Sequence, residues 1–254
     1  MLRNWIPIKY INWESLSENK NAISLLEKNP EKINWSHLSL NKNAIHLLEK
    51  NLDKVNWNRL SGNPNAIRIL EENQDKICWV VLSSNPNAIH LLEENLDKVF
   101  WEGLSRNPNA IHIIEENMDK VYWWDLSSNP NAIHILEKNQ DKIKWESLSR
   151  NPNAIHLLEQ NLDKVNWWVL SRNPGAIDLI EKNLDKISWS QMSSNPNAVH
   201  ILEKNPDKIF RNNNLSLNRK AVHLFEGKLN KINWVFFSCN PGIFEDEDED
   251  YICK

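Results

Sequence analysis

A tryptophan returns every 22 residues, at Trp13, Trp35, Trp57, Trp79, Trp101, Trp123, Trp145, Trp167 and Trp189. A fixed period this short is the signature of a stacked-repeat architecture, because one such unit cannot bury its own apolar side and needs its neighbours to do so. The pattern slips by one residue within 209–215, loses its Trp there, and resumes at Trp234. With Trp as column 1, the unit reads W-x-x-L-S-x-N-P-N-A-I-H-L-L-E-x-N-x-D-K-I-x, repeated about ten times.

The unit beginning at Trp145 illustrates the expected local structure. Asn151-Pro152 reads as a helix entry, with Asn at the N-cap and Pro at the first helical position. Ala154, Ile155, Leu157 and Leu158 then form one apolar stripe at helical spacing. Asn161 is expected to end that helix in a left-handed conformation, giving a helix over 152–160. In the second half, Val165 and Trp167 would lie about 160° apart on one continuous helix, so the segment reads as two pieces. These are a 3₁₀ turn at Asp-Lys-Ile and a short helix over Trp-x-x-Leu-Ser, with Asn or Ser before the Trp as its N-cap (Asn12, Asn34, Asn56, Asn166, Ser188). The fold class is therefore all-α, a solenoid with one α-helix and one shorter helical segment per unit. A strand at Ile-x-Trp, giving an α/β leucine-rich-repeat-like solenoid, is the alternative. Ten units at helix spacings of roughly 8–10 Å would make a rod or arc on the order of 100 Å long.

The segment Leu148-Ser149-Arg150-Asn151-Pro152-Asn153-Ala154 resembles the V-A-x-N-P-N segment of leucine-rich-variant repeats. That resemblance implies alternating α and 3₁₀ helices stacked in a right-handed solenoid; the unit here is shorter, and its Trp and Asp-Lys-Ile columns depart from that family. The Asn-, Ile- and Lys-rich copies also resemble, in composition, repeat proteins of giant DNA viruses.

The period divides the chain into a half-unit at 1–12, repeats at 13–233, a truncated unit at 234–244 and an acidic tail at 245–254. Trp5, Ile6, Ile8 and Tyr10 are placed to cover the exposed end of the core, as terminal units of solenoids must. The tail, with six acids in succession from Glu245 to Asp250, reads as solvated and disordered; its functional alternatives are a lure for basic partners and competition with acidic ligands.

Charge and cysteine usage narrow the function. Setting aside the six acids and one Lys of the tail leaves 29 Lys and Arg against 28 Asp and Glu, a neutral body unlike that of a nucleic-acid binder. Three cysteines without metal spacing, no signal-like apolar stretch at Met1–Pro7 and no apolar run of about 20 residues suggest an intracellular, cytoplasmic protein outside the membrane.

The His column (His46, His90, His112, His134, His156, His200, His223) reads as an exposed, neutral row whose members are too far apart to share one metal ion. The Trp column reads as core, and the recurrent Glu (Glu27 through Glu226) as the partner of the recurrent Lys (Lys32 through Lys231). No phosphate loop, nucleophile elbow or clustered acid pair argues for an enzyme, and no cofactor is implied. Recurrent columns hold the fold, so binding residues are sought among the variable ones: Val80, Val81, Phe100, Arg106, Tyr122, Trp124, Arg150, Trp168, Val169 and Arg172. Aromatics and Arg are common interface anchors, which points to a protein or peptide partner. Nucleic-acid binding through the Arg row and a purely structural or self-assembling role are the rivals.

Overall fold

The computed structural model describes residues 1–209 and 213–245. It is all-helical, and its units are built alike. In the unit used above, a Trp-led helix (Trp145–Leu148) is followed by an Ile-led helix (Ile155–Glu159) and a 3₁₀ turn (Leu162–Lys164). The strand alternative is not realised: the one β-type pairing among the described residues is an isolated bridge between Leu2 and Phe244.

The Trp-led helices start as expected. The side chains of Asn12, Asn34, Asn56, Asn166 and Ser188 each accept a backbone N–H from the third residue on, as does Asn233. The Ile-led helix begins later than 152, because Asn151 does not cap it. Asn151 Oδ1 accepts the N–H of Asn153 two residues on, closing a tight turn, and leaves the amide end free to reach elsewhere. Asn161 is not left-handed either (φ −137°). It ends the helix with its side chain, donating from Nδ2 to the carbonyl of Leu157 at 2.9 Å.

Leu148, Ala154, Leu157, Leu158 and Val165 are buried, and their counterparts continue this core from unit to unit. Through it runs a polar spine. The buried Asn residues of column 7 from Asn19 to Asn218 each donate both amide hydrogens to backbone carbonyls of the preceding unit, and Asn240 donates to Ser216 O: Asn129 gives 3.0 Å to Ser105 O and 3.0 Å to Asn107 O. Beside it, the Ser105 hydroxyl donates to Trp101 O and accepts the N–H of Tyr122, the residue that leads into the next Trp-led helix. These groups are buried and satisfied, so burial here carries little unpaired-polar cost.

The same bonds join the first unit to the last. Asn19 donates to Ser238 O at 3.0 Å and Asn240 O at 2.9 Å, Asn12 N donates to Ser238 Oγ at 2.9 Å, and Asn21 Nδ2 donates to Pro241 O at 3.1 Å. The chain is thus a closed ring of eleven units, not the open rod or arc that stacking alone suggests. The eleventh unit is composite: 234–245 supplies its first half and 1–12 its second. Arg3 N donates to Ile243 O, Glu245 N donates to Met1 O, and the ring of Trp5 lies 6.1 Å from that of Phe237. Tyr10 stacks on Trp234 at 5.1 Å. Ile6 is buried in this junction, whereas Ile8 stays exposed. The one-residue slip is absorbed between Ser193 and Asn218, where the spine resumes with Asn218 donating to Ser193 O and Asn195 O.

Closure determines which layer faces inward. In concentric layers with equal unit numbers, the inner one has the shorter spacing. The Trp-led helices Trp101–Arg106 and Trp123–Ser128 pack closely on each other; the equally long Ile-led helices Ile111–Glu116 and Ile133–Lys138 do not. The Trp-led helices therefore line the opening, and the fully buried Ser of column 5 permits their close approach. Eleven helices spaced roughly 8–10 Å apart put their axes on a circle about 30 Å across. Allowing for a helix diameter of about 10–12 Å leaves an opening on the order of 20 Å.

Small-angle scattering should give a maximum dimension of about 60 Å, estimated from helix spacing and layer thickness; a value near 100 Å would contradict closure. Asn129→Ala should destabilise by about 2–5 kcal/mol, because it strips donors from two buried carbonyls. Asn131→Ala, which loses one exposed bond to Pro108 O, should cost less than about 1 kcal/mol in the same denaturation measurement.

The seam carries its own reporter. Burial raises the Cys239 thiol above its ordinary range; the carboxylate of Glu18, from the first unit, raises it further, and a backbone hydrogen bond lowers it in part. Less thiolate at a given pH means slower alkylation. Cys239 should thus react along a rate profile displaced to higher pH than a free cysteine's, and Glu18→Gln should move it back part of the way.

Candidate binding surface

Two ladders fix the faces that are not free to bind. On the outer layer, each column-12 His donates from Nε2 to the Glu of the preceding unit, as in His46–Glu27 at 2.9 Å, His112–Glu93 at 2.6 Å and His200–Glu181 at 2.7 Å. Arg68 meets Glu49 in the same way at 3.2 Å. The His row is therefore not neutral decoration, and the Glu column is paired with it instead of with Lys. Lys goes to the Trp column: Lys32 lies over Trp13 at 4.4 Å, Lys142 over Trp123 at 4.8 Å and Lys208 over Trp189 at 4.5 Å. Trp packs against the core with one side and takes an ammonium on the other, so it is half-buried where full burial was expected. At Trp234 the place of that ammonium is taken by Tyr10.

The inner face is carried by columns 2, 3, 6 and 22. Column 2 and column 6 stand four residues apart on the Trp-led helix and so share one side of it. Bonds between units place the other two columns beside them: His37 (column 3) faces Glu14 and Glu18, and Asn34 (column 22) donates to Glu14. The sequence-selected residues fall into these four columns. Val80, Phe100, Tyr122, Trp124 and Trp168 are exposed, at 41–58% of their full surface. They fall in four of the five units from the fourth to the eighth, the seventh carrying Glu146 and Arg150 instead, so they gather along one side of the opening. The opposite side carries Asn12, Glu14, Ser36, Asn58, Ser188 and Ser190, together with Val235 and Phe236 of the composite unit, exposed at 51% and 38%.

Three residues behave differently. Val81 is half-buried, with its Cγ1 3.1 Å from where a Cβ on Gly62 would stand. Val169 is buried at 4% exposure, beneath the surface. Arg106 is engaged: its guanidinium holds the carboxylate of Asp125, with Nε 3.0 Å from Oδ1. Asp125, 3% exposed, was missed as an inner-face residue. Its signal in the sequence is an acid in column 3, 19 residues after an Arg in column 6.

Arg150 and Arg172 also sit in column 6, and among the described residues no ion pair holds either of them. Where Asp125 answers Arg106, Arg150 meets Val169 and Arg172 meets Gln191. Gln191 is buried, and its side-chain oxygen accepts no hydrogen bond. Arg150, Trp168, Val169, Arg172, Asn173 and Pro174 line a cleft of about 290 Å³ between the seventh and eighth units.

Among the described residues no cluster of His, Cys, Asp or Glu could hold a metal ion, and no helix is long and apolar enough to cross a membrane. The acidic tail falls outside the described residues from 246 onward. Comparison with known protein families, characterised proteins and solved structures gives no significant match, so neither resemblance noted in the sequence gains support.

The outer ladder should be worth little per rung, since each pair is about half exposed. Glu93→Gln is expected to change stability by no more than about 1 kcal/mol. Trp101→Leu, which removes both core contact and the Lys120 cation–π contact, should cost several times more in the same melt.

Proposed function

We propose that this protein is a non-enzymatic binding ring, whose inner face takes a segment of a protein partner. One observation carries the reading: the exposed aromatic side chains of the middle units, Phe100, Tyr122, Trp124 and Trp168, all stand on the concave face, whereas the exposed apolar residues elsewhere in these units are the aliphatic Leu96, Leu162 and Leu184 of column 18. An exposed apolar patch rimmed by polar residues commonly marks an interaction site. An opening on the order of 20 Å admits an α-helix about 10–12 Å across or an extended chain. The cluster suits the apolar face of an amphipathic helix turned toward Phe100, Tyr122, Trp124 and Trp168. The viral kinship and leucine-rich-variant relationship suggested by composition and motif stay outside this reading.

Single-stranded nucleic acid is the rival, on the strength of Trp168 between two free arginines. Against it, Asp125 neutralises Arg106, and Glu14, Glu18, Glu102 and Glu146 share the same face, so no continuous basic track follows the opening.

Replacing Trp124 and Trp168 together by Ser should leave the helical circular-dichroism signal intact and abolish capture of partners from lysate. A photo-crosslinking residue at Glu146, on the inner face, should form adducts with the captured partner, whereas one at Lys182, on the outer layer, should not. Unchanged capture by the folded double variant, or adducts from Lys182 alone, overturns the reading.

A further inference from the structure

The cleft between the seventh and eighth units has a chemistry distinct from the rest of the inner face. It joins two guanidinium groups, the most exposed indole of the middle units (Trp168, 58%) and a buried apolar floor at Val169. The contrast two units earlier is the informative point. Arg106 is held by Asp125, so a column-6 Arg can be neutralised within the ring by one acid in column 3. At Arg150 and Arg172 that acid is replaced by Val169 and Gln191, and among the described residues neither guanidinium has an ion-pair partner. Over 144–172 the inner-face columns carry Lys144, Arg150 and Arg172 against one acid, Glu146. A cationic patch therefore adjoins the aromatic cluster, on a chain whose net charge is −4.

Trp168 belongs to both features: it lines the cleft with the two arginines and is one of the exposed aromatics of the inner face. A segment laid on the aromatics thus brings one edge of its apolar face over Arg150 and Arg172. Guanidinium groups favour carboxylates there, since a planar fork donates to both oxygens. We propose that the cleft selects the charge of the bound segment. Its occupant is an acidic amphipathic helix of a protein partner, with the apolar face on Tyr122, Trp124 and Trp168 and Glu or Asp at the edge of that face on Arg150 and Arg172. This rests on the inner face being the binding face, and names the chemistry that the face accepts. A nucleic-acid strand repeats its charge at every nucleotide and needs a continuous basic track. Glu146 interrupts such a track within the seventh unit, and Glu102 and the paired Asp125 stand on the inner face of the fifth and sixth. Two arginines in one cleft fit a short run of carboxylates instead.

The test uses three fluorescein-labelled amphipathic helical peptides and the full chain. The peptides share one apolar face of Leu and Phe and carry Glu, Gln or Lys at every flanking position. Anisotropy should show saturable binding of the Glu peptide, tighter than that of the Gln peptide by roughly fivefold or more, with the Lys peptide weakest. Attraction to the net charge of −4 alone would give the reverse order, so a Glu preference reports the cleft. Raising the salt should shrink the preference. Arg150→Gln with Arg172→Gln should abolish it while leaving the affinity for the Gln peptide within about twofold. Arg59→Gln, on the inner face but outside the cleft, should leave it unchanged. Each variant's fold is verified by circular dichroism and melting. Absence of saturable binding by the Glu peptide, equal binding of the Glu and Gln peptides, or a preference that survives in the folded double-arginine variant overturns the proposal. So does displacement of the Glu peptide by single-stranded DNA at lower concentration than by unlabelled peptide. Failure of the inner-face reading is distinguishable: Trp124→Ser with Trp168→Ser would then leave the binding of all three peptides unchanged.

Discussion

The buried asparagine of column 7 is the interaction on which the rest of the ring depends. A side-chain amide is the smallest group able to donate twice to backbone while its oxygen accepts once, and all three capacities are used here. Asn129 ties two carbonyls of the preceding unit to the turn that starts its own Ile-led helix. Register between units and entry into each helix are thereby fixed by one side chain. In a one-dimensional stack stability is a sum of nearest-neighbour terms, so a bond repeated at every interface sets the unit-to-unit rotation for the whole chain. After eleven such rotations the last unit meets the first with the same bonds, and closure adds one more interface of the same kind.

Closure also changes what terminal segments have to do. An open solenoid needs polar caps over its exposed core, whereas here each end buries the other. The composite unit departs from the others where splicing requires it. Tyr10 replaces an ammonium over Trp234, and the Leu2–Phe244 pairing stands where the other units carry an Ile-led helix. At Gly242 the backbone of the preceding unit comes so near that a Cβ would lie 2.2 Å from Arg219 O. This join brings 1–12 and 234–245 together, so opening the ring requires their separation and no break in any internal unit.

Most of the unit was legible in the sequence because its physics is local. Apolar spacing at Ala154, Ile155, Leu157 and Leu158, the cap at Asn166 and the split between Val165 and Trp167 depend on neighbours within a few residues. What was illegible belongs to contacts between units. Asn151 reads as an N-cap in isolation, and only the neighbouring unit shows why its amide is needed. The same limit hid the His–Glu and Lys–Trp pairings: one column in one unit chooses its partner by three-dimensional offset, which a linear pattern does not contain. Curvature was the largest gap. It arises from a small difference in spacing between two layers, multiplied around eleven units. For the inner face, variability among columns found the exposed aromatics, but burial of Val169 and engagement of Arg106 needed coordinates.

The eighth unit concentrates departures that separately look like drift. Gly175 replaces the column-9 Asn, and a Cβ there would lie 2.4 Å from Pro152 O, so the seventh and eighth units approach more closely than Asn would allow. Asp178 replaces the column-12 His, so Glu159 receives no partner from the position that serves the other rungs. Val169 replaces the polar groups found in most units at column 3, and Trp168 and Arg172 flank it on the inner face. The interface therefore gives up an outer rung and a side-chain bond of the Asn131 type, both exposed and individually weak. It keeps the buried donors of Asn173, at 3.0 Å to Ser149 O and 3.0 Å to Asn151 O. Substitutions tolerated at exposed contacts while the buried spine is kept are what a ring allows where one interface has been shaped for something other than holding the ring together.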